Sequence, residues 1–138
     1  MKPPKNIKIK SPIPHEFVLD LLASLSPYTK PMFGCRSVYI PKFPEEDIIA
    51  LILRDKNDYT IDNGVWIATT LEHHKSLKKE LPSMRSITLF GSGPTGWQIL
   101  PQSSKNFEEE VTHACELILK NDPRIGKVPK KKKAKKIK

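Results

Sequence analysis

Gly91, Gly93 and Gly96, in the stretch LFGSGPTGWQIL from Leu89 to Leu100, stand in G-x-G-x-x-G spacing. Glycines so spaced hold a pyrophosphate when a strand feeds them straight into a helix, whose first N–H groups then face the anion. Ser86 to Phe90 reads as the strand. Trp97 to Pro101, however, is an aromatic and aliphatic run closed by proline, the chemistry of a second strand and not of a helix start. No Lys-Ser or Lys-Thr pair follows Gly96, so the cation of a P-loop is missing as well. The stretch therefore predicts a hairpin turned by Gly-Ser-Gly-Pro-Thr-Gly. A groove near this Gly91–Gly96 loop is the alternative, a place for a small molecule or an enzyme-like site.

The remaining reactive residue types do not converge in sequence. His73 and His74 are adjacent on a predicted helix and point apart, and the i, i+4 partner of a helical metal site is absent. His113 and Cys115 are two apart on another helix and also diverge. A cysteine nucleophile needs a base and an electropositive setting. Arg36 follows Cys35 in a predicted strand, where neighbours face opposite sides. Cys115 falls on an apolar stripe. Both cysteines read as structural thiols. Glu45-Glu46-Asp47 reads as a solvated turn, and Glu108 to Glu110 sit at a helix N-terminus where the dipole favours them. No catalytic residue, metal site or cofactor is expected.

Charge is the stronger signal. The chain of 138 residues carries a net charge of +9, with 24 Lys and Arg against 15 Asp and Glu. Residues 1–11 hold Lys2, Lys5, Lys8 and Lys10 and no acid, and residues 124–138 hold Arg124 and eight lysines and no acid. Setting those 13 cations aside leaves 11 basic residues against all 15 acids in residues 12–123, a net charge of −4. An acidic domain with basic ends follows. Lys127, Lys130, Lys131, Lys132, Lys133, Lys135, Lys136 and Lys138 form a cation string suited to phosphate backbones or another anionic surface. No aromatic residue interleaves these lysines, so DNA or RNA contact through them would be electrostatic and nonspecific.

The length allows one modest core, so the expected organisation is a basic tail at 1–11, one domain at 12–123 and a disordered lysine-rich tail at 124–138. The longest aliphatic run, Ile48 to Leu53, is far short of the roughly 20 residues that span a bilayer. The Lys- and Pro-rich beginning does not read as a secretory signal. Two cysteines without metal-type spacing suit a reducing compartment, and a cytoplasmic location is the expectation.

The elements that would position any site are legible from periodicity. Phe17, Val18, Leu21, Leu22 and Leu25 share a helical face that ends at Ser26-Pro27. Met32 to Ile40 and Ile48 to Leu53 read as strands, and Asn63-Gly64 as a turn delivering a third strand, Val65 to Ala68. Thr69 and Glu72 have capping-box spacing for a helix carrying Leu71, Leu77 and Leu81 inward. After the glycine hairpin, Asn106 is placed to cap a last helix with the stripe Phe107, Val111, Ala114, Cys115 and Ile118. The expected fold is α+β, a two-layer α-β(3)-α-β(2)-α arrangement with a five-stranded, mainly antiparallel sheet and its helices on one face. Ile48 to Leu53 is apolar at every position, so its second face needs cover, and a homodimer formed through the sheet would supply it.

Met32-Phe33-Gly34-Cys35 resembles the Met-Phe-Gly-Gly strand motif of the TfoX N-terminal domain family, bacterial regulators of competence. The resemblance runs through the strands at 48–53 and 64–67 and on to Trp97 and Pro101, about 100 residues in all. YjbR-like proteins have a similar architecture and are the neighbouring possibility. Cys35 stands where the family has its second glycine, and the family's separate C-terminal domain has no counterpart after residue 123. The resemblance implies a small domain with a regulatory or interaction role, structural rather than catalytic motif residues, and an unidentified protein partner. Three functions follow as expectations: a regulatory module whose basic tails touch nucleic acid, a small-molecule-binding or enzyme-like domain, and a pure protein-binding adaptor.

Overall fold

Strands that are apolar on both sides require a sheet covered twice, and the chain builds one. In the computed structural model, the residues described are 13–32, 34–42, 44–89 and 96–129. A short helix α1 (Phe17–Leu21) runs into a 3-10 turn at Ala23–Leu25. Strands β1 (Tyr28–Met32), β2 (Cys35–Ile40), β3 (Ile48–Arg54) and β4 (Gly64–Ala68) follow. Helix α2 (Leu71–Glu80), strands β5 (Arg85–Ser86) and β6 (Trp97–Pro101), and helix α3 (Phe107–Leu119) complete the order. All strand pairs are antiparallel, and the sheet order is β1-β2-β3-β4-β6-β5.

The fold is thus α+β with an antiparallel sheet, but six strands stand where the sequence suggested five. The run Met32 to Ile40 is not one strand. Gly34 takes φ +78°, a conformation open to glycine, and the chain turns back there so that Met32 faces Cys35 and Tyr28 faces Tyr39. Asn63-Gly64, expected as a turn, is extended: Asn63 takes φ −73° and ψ 137°, and Gly64 opens β4. At φ +147°, a Cβ built on it would fall 2.2 Å from the Leu100 carbonyl oxygen, so glycine lets β6 close against β4.

The three α-helices among the described residues share one face. Val18 and Leu22 from the first helical segment, Leu77 and Leu81 from the second, and Phe107, Val111, Ala114, Cys115 and Ile118 from α3 pack on Val38, Ile40, Leu51, Leu53, Val65, Ile67 and Leu100. Leu71, expected to face inward, is exposed, because α2 starts only there and its inward side begins a turn later. The cap expected at Thr69 is not formed: Thr70 occupies the N-cap position of α2, and neither it nor Asn106 at α3 makes a side-chain cap hydrogen bond. Ser104 Oγ instead accepts from the Asn106 N–H.

The opposite face carries a second apolar cluster of Cys35, Tyr39, Ile49, Ile52, Trp66, Ala68, Ile87 and Ile99. Strand β3 serves both faces through a bulge: Val38 pairs with Leu51 and Tyr39 with Ile49, which places Ala50 and Leu51 together on the helix side. Every member of the second cluster is buried within a single chain. The apolar character of β3 therefore does not require a dimer partner. The tail boundary also moves. Residues 124–129, expected to be tail, pack on the fold: Ile125 is buried in the helix-side core, Gly126 N–H donates to the Ala68 carbonyl, and Lys127 bridges to Ile49.

Candidate functional site

On the face opposite the described helices a hollow of about 320 Å³ is lined by Met32, Tyr39, Ile49, Trp97, Lys127, Val128 and Pro129. Each wall comes from a different part of the chain. Pairing of β1 with β2 brings Met32 and Tyr39 to this face. Tyr39 stacks on Tyr28 at 5.3 Å with 11° between the rings, and Lys30 Nζ lies 5.0 Å from the Tyr39 ring centre. The Tyr28 hydroxyl donates to Asp47 at 2.5 Å, and that bond to a carboxylate, with some burial, pushes its pKa up to about 12.

Trp97 begins β6 and sits 6.2 Å from Trp66, whose indole N–H donates to the Asp62 carbonyl. The far wall is the chain after α3. Reciprocal backbone bonds between Lys127 and Ile49, 2.9 and 3.0 Å, fix this segment across the end of β3. They also seat Lys127 Nζ 5.6 Å from the Trp97 ring centre. Aromatic faces and a cation thus meet in an otherwise apolar hollow.

Two buried polar centres hold the surroundings in place. Asp62, fully buried in a 3-10 turn (Thr60–Asp62), accepts the N–H groups of Thr88 and Leu89 at 2.8 Å each and an Arg85 guanidinium N–H at 3.1 Å. This clamp draws Ile87 to Leu89 over the second face, so β5 ends at Ser86 instead of running to Phe90. Arg54, 2% exposed, donates to the carbonyls of Asp58 and Tyr59 and to Asn63 Oδ1, all neutral acceptors. It ties the same connection down from the other side.

The glycine motif does not make a phosphate cradle at its described end. Gly96 leads into strand β6, not a helix. A Cβ there would lie 2.8 Å from the Thr69 carbonyl oxygen, so close backbone approach explains the residue. Gly91 and Gly93 lie outside the described residues, as do Phe33 and the string Lys130, Lys131, Lys132, Lys133, Lys135, Lys136 and Lys138. Of the residues singled out from the sequence, Met32, Trp97 and Lys127 converge on the hollow. Gly34 makes the β1–β2 turn, and Pro101 ends β6 opposite Gly64.

The histidines stay apart from one another. His74 Nε2 lies 3.4 Å from the Gly96 carbonyl, and His113 Nε2 lies 2.8 Å from Glu80. No group of three His, Cys, Asp or Glu side chains placed to hold a metal occurs among the described residues. Burial raises the Cys35 pKa despite the opposing charges of Arg54 and Lys56, and burial pushes Cys115 up to about 12. Both are buried thiols.

Several structural roles had no readable signal in the sequence. Asp62 and Arg54 belonged to what looked like a polar connection and the end of a strand. Glu110, read as a dipole partner, is buried and accepts from Ser83 N–H and Oγ–H. Arg124 pairs with Asp122 and Glu80; its guanidinium holds the Asp122 carboxyl below the usual range, and Glu80 is lowered first by its hydrogen bond with His113 and then by Arg124.

No protein-family model, curated protein or solved structure matches the chain. Among the described residues no helix is long and apolar enough to cross a membrane.

Proposed function

We propose that the chain is a non-enzymatic, cytoplasmic binding module, akin in role to the regulatory TfoX N-terminal domain, that contacts nucleic acid through its cationic ends. One observation carries the reading. Lys127, the first lysine of the C-terminal string, is anchored to β3 beside Trp97, and residues Lys127 to Pro129 line the hollow. Cation density in the ends, against a domain of net negative charge, supplies the electrostatic attraction to phosphate.

The test compares the full chain with a chain ending at Pro129, which keeps Ile125 and the Lys127 bridge. Binding to duplex DNA and to RNA is measured across salt. The full chain is expected to show a steep slope, about −0.9 per phosphate contacted on B-DNA, and removal of the seven lysines beyond Pro129 should flatten it. Absence of binding by both forms near physiological salt refutes the reading.

The hollow itself favours a second reading, a small-molecule-binding domain. Its volume of about 320 Å³ falls at the lower end of ordinary ligand pockets. A ligand at 100 times its dissociation constant would stabilise the chain by about 2.7 kcal/mol, and no thermal shift across a panel of nucleotides and aromatic acids would remove this alternative.

A further inference from the structure

Resting on the nucleic-acid reading, we infer that the folded domain carries a phosphate-contacting face of its own, on helix α2, where Lys75 and Lys79 meet the backbone of a duplex. His74, Lys75, Lys78 and Lys79 are spaced i, i+1, i+4 and i+5, which places them on one side of the helix. All four line a single hollow, and no carboxylate is among its described walls. The negative net charge of residues 12–123 conceals this local concentration of cations.

The tertiary structure sorts charges that the sequence interleaves. Glu80 turns toward α3 and the segment after it, where His113 Nε2 and Arg124 Nη2 lie 2.8 and 2.7 Å from its oxygens. Glu72 lies 3.4 Å from His73. Lys78 Nζ is held in place by the carbonyls of Pro82 and Met84, at 3.1 and 2.7 Å. Among the described residues nothing hydrogen-bonds or pairs with the ammonium of Lys75 or of Lys79. The helix dipole favours Lys78 and Lys79 in the last turn, but it offers nothing to Lys75 in the middle. Like charges one turn apart repel, and a row of phosphates supplies the counter-charge that the fold withholds.

Two further observations point to a nucleic acid. A helix that lies on an anionic membrane buries an apolar side in the lipid beside its cations. The apolar side of α2, Leu77 and Leu81, is spent on the core, and Leu71 alone of its large apolar residues is exposed. The face also adjoins Lys127. His74 Nε2 lies 3.4 Å from the Gly96 carbonyl oxygen, and Lys127 Nζ comes to 3.5 Å from where a Cβ on Gly96 would stand. Phosphates drawn to Lys127 are thereby brought beside α2.

The experiment uses the full chain and a labelled twenty-base-pair duplex, read by fluorescence anisotropy across salt. Lys75→Gln with Lys79→Gln removes two cations from exposed positions of a helix that glutamine suits. Lys105→Gln with Lys120→Gln removes two exposed cations at the ends of α3, an equal change in net charge. Lys75→Arg with Lys79→Arg keeps the charge of the face. The first pair is expected to make the slope of log affinity against log salt shallower by about 1.8, two phosphates at about 0.9 each. The arginine pair and the α3 pair should keep the parent slope.

Equal flattening by the α2 and α3 glutamine pairs overturns the face, because net charge alone would then govern binding. A parent slope retained by the α2 glutamine pair also overturns it and leaves the tail reading intact. So does loss of binding to phosphatidylserine vesicles in that pair with duplex binding unmoved, since the partner would then be a lipid surface. No binding of the duplex by the parent near physiological salt refutes the nucleic-acid reading and the face with it.

Discussion

Replacing Asp62 by Asn changes one atom in a fully buried clamp and should cost the fold about 3 kcal/mol. The carboxylate takes four donors: the N–H of Thr88 and of Leu89 on Oδ2, and Arg85 with the Thr88 hydroxyl on Oδ1. An amide keeps one oxygen and turns the other side into a donor. If its nitrogen faces Thr88 and Leu89, two buried N–H groups lose their acceptor. If it faces Arg85, a guanidinium loses its counter-charge.

A buried donor left unsatisfied costs about 1–3 kcal/mol, and the Arg85 side is discounted because that side chain is about a third exposed. At about 4 °C per kcal/mol for a domain of this size, the melting temperature should fall by about 12 °C. Guanidinium denaturation should show a lower midpoint with an unchanged slope, since the surface exposed on unfolding is the same. Amide exchange adds a local reading: Thr88 and Leu89 should exchange far faster relative to Leu51 and Ile67 in the core. A loss below 1 kcal/mol, or exchange accelerated evenly along the chain, would refute the reasoning that Asp62 holds the 87–89 segment over the second face.

Three further outcomes are expected. Gly64→Ala should destabilise by about 3 kcal/mol or more in chemical denaturation, because the added methyl meets the Leu100 carbonyl at 2.2 Å and neither backbone can retreat without breaking the β4–β6 pairing. Arg124→Met should cost about 1 kcal/mol at pH 7. Its partners Glu80 and Asp122 have pKa values lowered by folding, so their contribution is present above the unfolded value near 4 and fades as pH falls through the folded values. Stability curves of parent and variant should therefore converge on acidification, and a gap that persists at pH 2 would contradict the assignment. Both thiols are buried with raised pKa, so a thiol reagent at pH 8 should label the native chain slowly and release two equivalents on unfolding. Rapid labelling of either cysteine in the native state would show that its cover opens.

What the sequence determined alone was local: the α+β class, the antiparallel pairing, the stripe of α3, and the separation of a negative domain from cationic ends. These follow from period, punctuation and composition, which are written within a dozen neighbouring residues. It was also enough to doubt the glycine motif, since Trp97 to Pro101 carries strand chemistry whatever its surroundings. The β1–β2 turn was not legible, because Tyr28 to Met32 includes Lys30 and Pro31 and lacks strand alternation; its pairing with β2 comes from Gly34 and from the Tyr28–Tyr39 stack.

The cover of the second face escaped for a related reason. Asp62 reaches its partners 26 and 27 residues away, and no spacing rule connects a polar connection to a loop that distant. The hollow is the clearest case. Residues 32, 39, 49, 97 and 127 become neighbours only when antiparallel register, a bulge and the crossing of the post-helical segment are all in place. Lysines in a row announce their charge from the sequence. That the first of them stands beside an indole ring is a property of the tertiary fold, because burial of Ile125 and the Lys127–Ile49 bridge set where the chain comes to rest.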